Sequence, residues 1–234
     1  MSPTILLEVI ATTLEDARIA AAAGADRIEL IASQEEGGLT PSLDLIQQIT
    51  AESPIPVNVM IRPHSRSFHY NSAELEQMVH DIRQITAHTS ASALVLGILN
   101  ASGHIDETAL QQLLAAAGEL PVTFHRAFDE ISDQEKALYT LSRYPAITRI
   151  LTSGGHDTVL DARDTITRLN QIARQHQISL IAGAGLTLET LGEFVRDTGV
   201  QEVHLGSAVR QESNIHLPLD AARIRQAKAA IMTL

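Results

Sequence analysis

The chain has 234 residues, of which 44% are hydrophobic and only 3% aromatic, and its formal net charge at pH 7 is −11. This acidic excess repels polyanions and argues against nucleic acid or an anionic membrane surface as a partner. The chain has no cysteine, which excludes disulfides, thiolate metal sites and cysteine nucleophiles. We expect a cytoplasmic protein, because the N-terminus lacks the pattern of a signal peptide and no apolar run is long enough to cross a bilayer.

Eight short β-prone runs follow one another, with starts about 22 to 36 residues apart. They are Ile5–Ile10, Arg27–Ile31, Val57–Arg62, Ala93–Leu99, Val122–Arg126, Arg149–Ser153, Ser179–Gly183 and Glu202–Gly206. Each interval has room for one helix and two loops. The spacing therefore predicts a single α/β domain over residues 1–234, a (β/α)8 TIM barrel. The rival, a doubly wound open sheet, lacks its dinucleotide fingerprint here.

Local signals predict where several of the intervening helices begin and end. Thr13 is a capping residue and Gly24 a stop for the first helix. Thr40, directly before a proline, predicts the start of the second. Asn71 or Ser72 opens the third.

Alternate residues of a barrel strand face the interior, and here those positions are unusually polar. The predicted inward residues are Leu6, Glu8, Ile10, Arg27, Glu29, Ile31, Asn58, Met60, Arg62, Thr123, His125, Glu202, His204 and Gly206. Charges inside a barrel are costly unless they are paired or face a ligand at the mouth. One interpretation is a structural network in which Glu8 or Glu29 neutralises Arg62 or a histidine. The concentration of such groups favours a functional site.

Five of these side chains are therefore predicted to share a funnel that solvent reaches: Glu8, Glu29, Arg62, His125 and His204. The two glutamates suit the role of general base or acid, and either histidine suits the partner that returns the proton. Arg62 suits the binding of a carboxylate or a developing oxyanion.

Arg126 and Asp129 follow the fifth strand and complete the set of candidate catalytic residues. Arg126 can assist Arg62 in holding an anion. Strict alternation would turn Arg126 toward the helices unless the strand ends before it, and an ordinary salt bridge with Asp129 is the alternative.

Glycine-containing turns follow the last three strands, where many barrels bind phosphate through backbone N–H groups. The candidate anion-binding residues are Ser153, Gly154, Gly155, Gly183, Gly185, Gly206 and Ser207. A carboxylate or sulfate would satisfy the same donors. The alternative is that these glycines only turn the chain.

Several segments of this sequence resemble the CutC family, long described as copper homeostasis proteins. They are Ala25–Leu30, Glu36–Leu43, Met60–Pro63, Val122–Asp129, Arg149–Gly155 and Ala182–Gly185. The resemblance runs nearly end to end and implies a β/α barrel, with a link to copper homeostasis and copper binding.

Two departures from the family pattern bear on copper. Members often have cysteines, proposed as copper ligands, at the ends of strands 1 and 2, where this chain has Ile10 and Ile31. The loop after the third strand also differs, reading His64–Phe68. The donors left for copper are His125, His204, Met60 and loop histidines such as His64 and His69. Composition therefore predicts weak copper binding.

Three functions remain open from the sequence. The first is copper handling, by resemblance. The second is a cofactor-independent enzyme, of lyase or isomerase type with hydrolysis not excluded, acting on a small anionic or sugar-like metabolite. The third is a non-catalytic sensor of such a metabolite. The Ala-rich face Ala17–Ala23 is compatible with a homodimer or larger homo-oligomer, or with simple packing on the sheet.

Overall fold

Eight parallel strands close into a barrel in chain order, which confirms the predicted fold. The computed structural model describes residues 4–232, so both ends of the predicted domain, residues 1–3 and 233–234, lie outside the described part. The strands are β1 Leu6–Ala11, β2 Arg27–Leu30, β3 Val57–Met60, β4 Ala93–Leu96, β5 Val122–Phe124, β6 Ile147–Thr152, β7 Ser179–Ala182 and β8 Glu202–Leu205. β1 pairs with both β2 and β8, which completes the ring.

Eight α-helices alternate with the strands within residues 4–232. They are α1 Leu14–Ala22, α2 Leu43–Glu52, α3 Ser72–His88, α4 Glu107–Ala117, α5 Gln134–Leu141, α6 Arg163–Gln175, α7 Leu191–Thr198 and α8 Ala221–Met232. No helix in this described stretch combines the length and apolarity that crossing a membrane requires.

The predicted helix starts are confirmed at α1 and α3 and wrong at α2. Thr13 caps α1 by accepting a hydrogen bond from the amide of Asp16. Asn71 caps α3 in a reciprocal capping box. α2 instead begins after Ser42, and the Thr40 hydroxyl accepts a hydrogen bond from the amide of Arg62. Thr40 therefore ties the second loop to the third rather than starting a helix.

The apolar residues of the strands pack outward against the helices, as predicted. Leu7 and Val9 are fully buried in this layer. The Ala-rich face of α1 joins the same core through Ala17, Ala20 and Ala23. That face packs on this chain's own sheet.

Within the described residues, seven of the eight strands end earlier than the sequence predicts, while β1 extends one residue further, to Ala11. β3 ends at Met60 and β5 at Phe124. Arg62 and His125 therefore belong to the loops at the mouth, where the backbone is free to direct their side chains. A small apolar cluster of Ile31, Met60 and Val95, with Ile10 against it, fills the interior.

Candidate active site

A cavity of about 630 Å³ opens at the C-terminal ends of the strands. Six of the seven candidate catalytic residues line it: Glu29, Arg62, His125, Arg126, Asp129 and His204. Active sites of such barrels lie at this face. The predicted gathering of these polar side chains around one opening is present in the structure.

Glu8 is not in the cavity wall and belongs to a buried ionic network beneath it. Its Oε2 lies 2.6 Å from Nε of Arg27, and Nη2 of Arg27 lies 2.6 Å from Oε2 of Glu202. Arg149 approaches Glu202 at 3.2 Å, and the Asn58 amide donates to Glu8. Burial alone would raise the pKa of Glu8, but Arg27 and His204 outweigh it and lower that pKa to about 2. Glu8 therefore stays ionised, which argues against the predicted acid or base role.

His204 connects this network to the cavity. Its Nδ1 lies 2.8 Å from Oε1 of Glu8, and its Nε2 faces Oε2 of Glu29 at 3.8 Å. Burial opposes the charged imidazole, but the carboxylates of Glu29 and Glu8 overcome that effect and raise the pKa of His204 above its ordinary value. The hydrogen bond to Glu8 fixes the ring, as a carboxylate does for many catalytic histidines.

Glu29 is the carboxyl group of the cavity with the most perturbed environment. Its side chain is 3% exposed, and its Oε1 has no hydrogen-bond partner among residues 4–232. Burial raises its pKa to about 7, against the opposing charge of His204 and with a smaller contribution from Glu8. A carboxyl group with a pKa near the working pH is suited to both taking and giving a proton.

His125 lines the cavity, and its two ring nitrogens differ in their hydrogen bonding. Its Nδ1 accepts a hydrogen bond from the amide of Ala127 at 3.1 Å, and its buried Nε2 has no hydrogen-bond partner within the described residues. Burial, followed by the positive charge of Arg62, lowers the pKa of His125 to about 3. The ring packs against Phe68 with their centroids 4.8 Å apart. The imidazole is thus neutral and firmly held.

Arg62 is a fixed positive charge in the cavity wall. Its Nη1 donates to the backbone carbonyls of residues 36–38, and its Nη2 donates to the carbonyl of Ser65. The guanidinium also lies over the ring of Phe68, 4.6 Å from the centroid. Because these partners are neutral, the charge is not cancelled by a carboxylate and remains available to an anion.

Arg126 and Asp129 form the salt bridge that the sequence left as an alternative, with Nε and Oδ2 2.8 Å apart. Arg126 nevertheless lines the cavity, because β5 ends before it. Asp129 also accepts from the Thr152 hydroxyl and from the amides of Ser153 and Gly155. Its carboxylate is therefore committed to holding the loop after β6.

This arrangement corrects part of the predicted anion site. The amides of Ser153 and Gly155 bind Asp129, an internal anion, and the Gly154 amide bonds to the Thr152 hydroxyl. The Gly183 amide bonds to the carbonyl of Thr152. These donors are not free for an external ligand.

Three of the predicted anion-binding residues remain in the cavity wall without such internal partners for their amides: Gly185, Gly206 and Ser207. Gly185 has φ of +80°, a backbone conformation that favours glycine, and a Cβ at this position would collide with Thr158. The loops after β7 and β8 thus keep the position at which phosphate-binding barrels hold an anion.

The cavity's donor set does not suit copper(I). Glu8, Glu29 and His204 each offer one ligand atom within 4.8 Å of the others. Two of the three are hard carboxylates, whereas copper(I) prefers thiolate, thioether and imidazole. Met60 supplies one thioether in the wall. Ile10 and Ile31 also line the cavity, so the family's two cysteine positions are apolar here.

Sequence reasoning missed several residues of this region. Arg149 and Phe68 were not singled out, and Arg27 and Glu202 were placed inside the barrel without a role. The position of Arg27 and Glu202 in their strands was an available signal. Each residue begins a strand and therefore lies at the end of the barrel opposite the mouth. Charges at that level have no ligand to meet and must pair with each other.

Comparison with known proteins identifies the family. A model of the CutC family matches residues 5–209. A CutC family protein of Salmonella enteritidis is 39% identical over 204 residues, which cover 87% of this chain and 80% of that protein. A Streptococcus agalactiae structure described as the copper homeostasis protein CutC has a TM-score of 0.80 and 38% identity, over 86% of this chain and 98% of that one.

A more distant likeness concerns the fold alone. Phosphoribosyl anthranilate isomerase from Thermococcus kodakaraensis has a TM-score of 0.64 at 16% identity, over 97% of this chain and 99% of that one. Its activity does not transfer at this level of identity. The matches at 38–39% identity and the family model agree with each other. The chain belongs to the CutC family.

Proposed function

We propose that this protein is a cofactor-independent enzyme of lyase or isomerase type, acting on a small anionic or sugar-like metabolite at the barrel mouth. The observation that carries the proposal is Glu29, a buried carboxyl group of the cavity wall with a pKa of about 7, whose Oε1 has no hydrogen-bond partner in the described part of the chain. A buried structural carboxylate would have a partner for each oxygen. Glu29 lacks such a partner and can both bind and release a proton near pH 7.

Glu29 and His204 form the acid–base pair of this proposal. Both line the cavity. Burial raises the pKa of Glu29 to about 7, and the carboxylates of Glu29 and Glu8 raise the pKa of His204 in spite of its burial. Glu29 takes a proton from the substrate, and His204 stabilises the carboxylate before the step and can return a proton afterwards. Glu8 acts as a positioning residue, because it orients the imidazole from below through Nδ1.

The charges of the cavity wall support an anionic ligand. Among the described residues 4–232, Arg62 has only neutral hydrogen-bond partners, whereas Arg126 at the rim is paired with Asp129. Gly185 and Ser207 line the opposite loops. Arg62 therefore provides a local positive charge without a carboxylate partner within a chain whose overall charge is negative, which favours a small anion over a polyanion.

Copper handling is the function that the family name suggests, and it draws little support from this chain's own residues. The streptococcal relative is described as a copper homeostasis protein. The donors here are mainly carboxylate and imidazole, and Glu8 is already bound to Arg27, Asn58 and His204. We therefore place catalysis on a metabolite ahead of copper binding.

The test begins with a panel of small phosphorylated and carboxylated metabolites, in which ligands are found by thermal stabilisation. Each ligand found is then incubated with the protein in heavy water, and loss of its C–H signal is followed by proton NMR. We expect catalysed exchange that Glu29→Gln reduces by about a hundred- to ten-thousand-fold. Glu35→Gln, an exposed residue of the neighbouring loop outside the cavity wall, is the matched control and should keep the wild-type rate.

Two results would count against the proposal. Exchange that Glu29→Gln leaves unchanged would remove Glu29 from the chemistry. Ligands that bind without any exchange or conversion would identify a sensor in place of an enzyme.

A further inference from the structure

We infer that His125 is a catalytic residue which, as a neutral Nε2–H donor, binds the carbonyl oxygen of the substrate, so that the substrate is an α-hydroxy carbonyl compound or a close relative. This inference rests on the proposed function of the same cavity and names its substrate class. It starts from the hydrogen bond of His125 and from its free nitrogen.

The tautomer of His125 follows from its partner. The amide of Ala127 can only donate, so Nδ1 of His125 must accept and carries no proton. A neutral imidazole has a single N–H group, which is therefore on Nε2. That atom is buried, has no hydrogen-bond partner, and belongs to a ring in the cavity wall.

The position of the ring is built into the fold. Gly97 follows β4, and a Cβ there would lie 2.5 Å from Nδ1 of His125 and 2.9 Å from Cβ of Ala127. Only a glycine leaves space for the imidazole at this place. Phe68 packs against the ring, and His125 is 3% exposed. A buried N–H group held this firmly costs free energy unless a ligand accepts from it.

The surroundings of Nε2 select an oxygen that gains negative charge. The guanidinium groups of Arg62 and Arg126 lie close enough to disfavour the charged imidazole. A ligand atom at Nε2 must accept a hydrogen bond, and the nearby positive charges favour an oxyanion over a neutral or cationic group. A neutral imidazole that stabilises a developing enolate is an established catalytic device.

The step that these groups support is proton abstraction next to a carbonyl. Glu29, as the carboxylate, takes the proton from the carbon atom adjacent to the carbonyl. The electron pair of the broken C–H bond forms a C=C bond, and the π pair of the carbonyl moves onto its oxygen, where His125 donates from Nε2. The hydroxyl proton of the enediolate then passes to the former carbonyl oxygen. As the other oxygen re-forms a C=O bond, the C=C electron pair takes the proton back from Glu29 at the former carbonyl carbon, which completes an isomerisation without any oxidant, reductant or other reactant.

Two measurements test the inference, and the first needs no ligand. Nitrogen-15 NMR of the histidine rings in the wild-type protein should show His125 as the neutral Nε2–H tautomer from pH 5 to pH 8. A protonated Nδ1, or titration of the ring in this range, would overturn the inference.

The second measurement uses phosphoglycolohydroxamate, which mimics the enediolate of an α-hydroxy carbonyl compound, with inorganic phosphate as the comparison. We expect His125→Leu to lose about 10- to 100-fold in affinity for the mimic by titration calorimetry while its affinity for phosphate is unchanged. His125→Gln, which can place an N–H group where Nε2 lies, should keep most of the affinity. Circular dichroism and thermal unfolding confirm that both variants fold.

Equal affinity of the mimic for the wild type and a folded His125→Leu variant would overturn the inference, and so would failure of the wild type to bind the mimic. Neither result affects the proposed function, which depends on exchange that requires Glu29. Conversely, tight binding of the mimic through His125 without any proton exchange would support this donor role while the proposed function fails.

Discussion

Nε2 of His204 lies 3.8 Å from Oε2 of Glu29, too far for a hydrogen bond and close enough for strong electrostatic coupling. The same ring is held on its other side by Glu8 at 2.8 Å. Glu29 is therefore electrostatically coupled to His204, with no hydrogen bond between Oε2 and Nε2. The other oxygen of Glu29, Oε1, has no hydrogen-bond partner among residues 4–232, and His204 limits how far burial raises the pKa of Glu29.

The first prediction concerns the effect of Glu8 on His204. Glu8→Gln removes a negative charge next to Nδ1, so we expect the pKa of His204 to fall, as measured by NMR of its imidazole. The matched control is Glu202→Gln, which removes the other carboxylate of Arg27 and leaves the contacts of His204 in place. A His204 pKa that responds equally to both substitutions would show that Glu8 has no specific role.

The second prediction concerns the buried ion network. Arg27→Met leaves Glu8 and Glu202 without their shared partner in the interior, and we expect a loss of about 3–5 kcal/mol in the free energy of unfolding. Arg18→Met breaks a salt bridge of similar length to Glu52 at the surface, where solvent screens the charges, and should change stability little. Urea unfolding of both variants measures the difference. Similar losses of unfolding free energy in the two variants would mean that burial does not increase the contribution of the ion pairs to stability.

The barrel and the group of residues at its mouth could be predicted from the sequence because both follow from periodicity. Strand spacing gives the closed sheet, and alternation places His125, His204 and Glu29 inside it. The pairing of the buried carboxylates with particular cations could not be predicted in the same way. Which carboxylate binds which cation depends on the stagger between strands, and the sequence contains no direct signal for that. Glu8 and Glu29 look alike in sequence, although one is saturated with partners and the other is free.

The loop after β6 illustrates a second limit. Its glycines and Ser153 have the composition of an anion site, and the loop does bind an anion, namely the side chain of Asp129. The sequence identified the donors correctly but not the source of their ligand. A carboxylate 24 residues earlier reaches them only because the short turn after β5 directs it there.

The third prediction concerns copper. We expect the wild-type protein to release copper(I) to a competing chelator such as bathocuproine disulfonate, because the cavity offers one thioether and imidazole nitrogens but no thiolate. A variant that combines Ile10→Cys with Ile31→Cys puts two thiols in the cavity wall and should retain copper(I). Stoichiometric copper kept by the wild type, or no gain in the variant, would contradict the prediction.

The fourth prediction concerns stability as a function of pH between 5 and 6.5. The pKa of His125 is lowered to about 3, so the unfolded chain binds a proton that the folded one does not, and stability falls as pH decreases through this range. The pKa of Glu29 is raised to about 7, so the folded chain holds the extra proton and stability rises as pH decreases. Each group contributes at most about 1.4 kcal/mol per pH unit, with opposite sign.

The two effects offset each other in the wild type, and single variants separate them. Relative to the wild type, His125→Gln should gain stability as pH decreases from 6.5 to 5. In this variant the unfolded chain no longer binds the additional proton at position 125. Glu29→Gln should lose stability over the same range. Urea unfolding at three pH values measures these slopes. Parallel pH profiles for all three proteins would mean that neither side chain changes its proton affinity on folding, and the argument that Glu29 is poised to exchange a proton at neutral pH would fail with them.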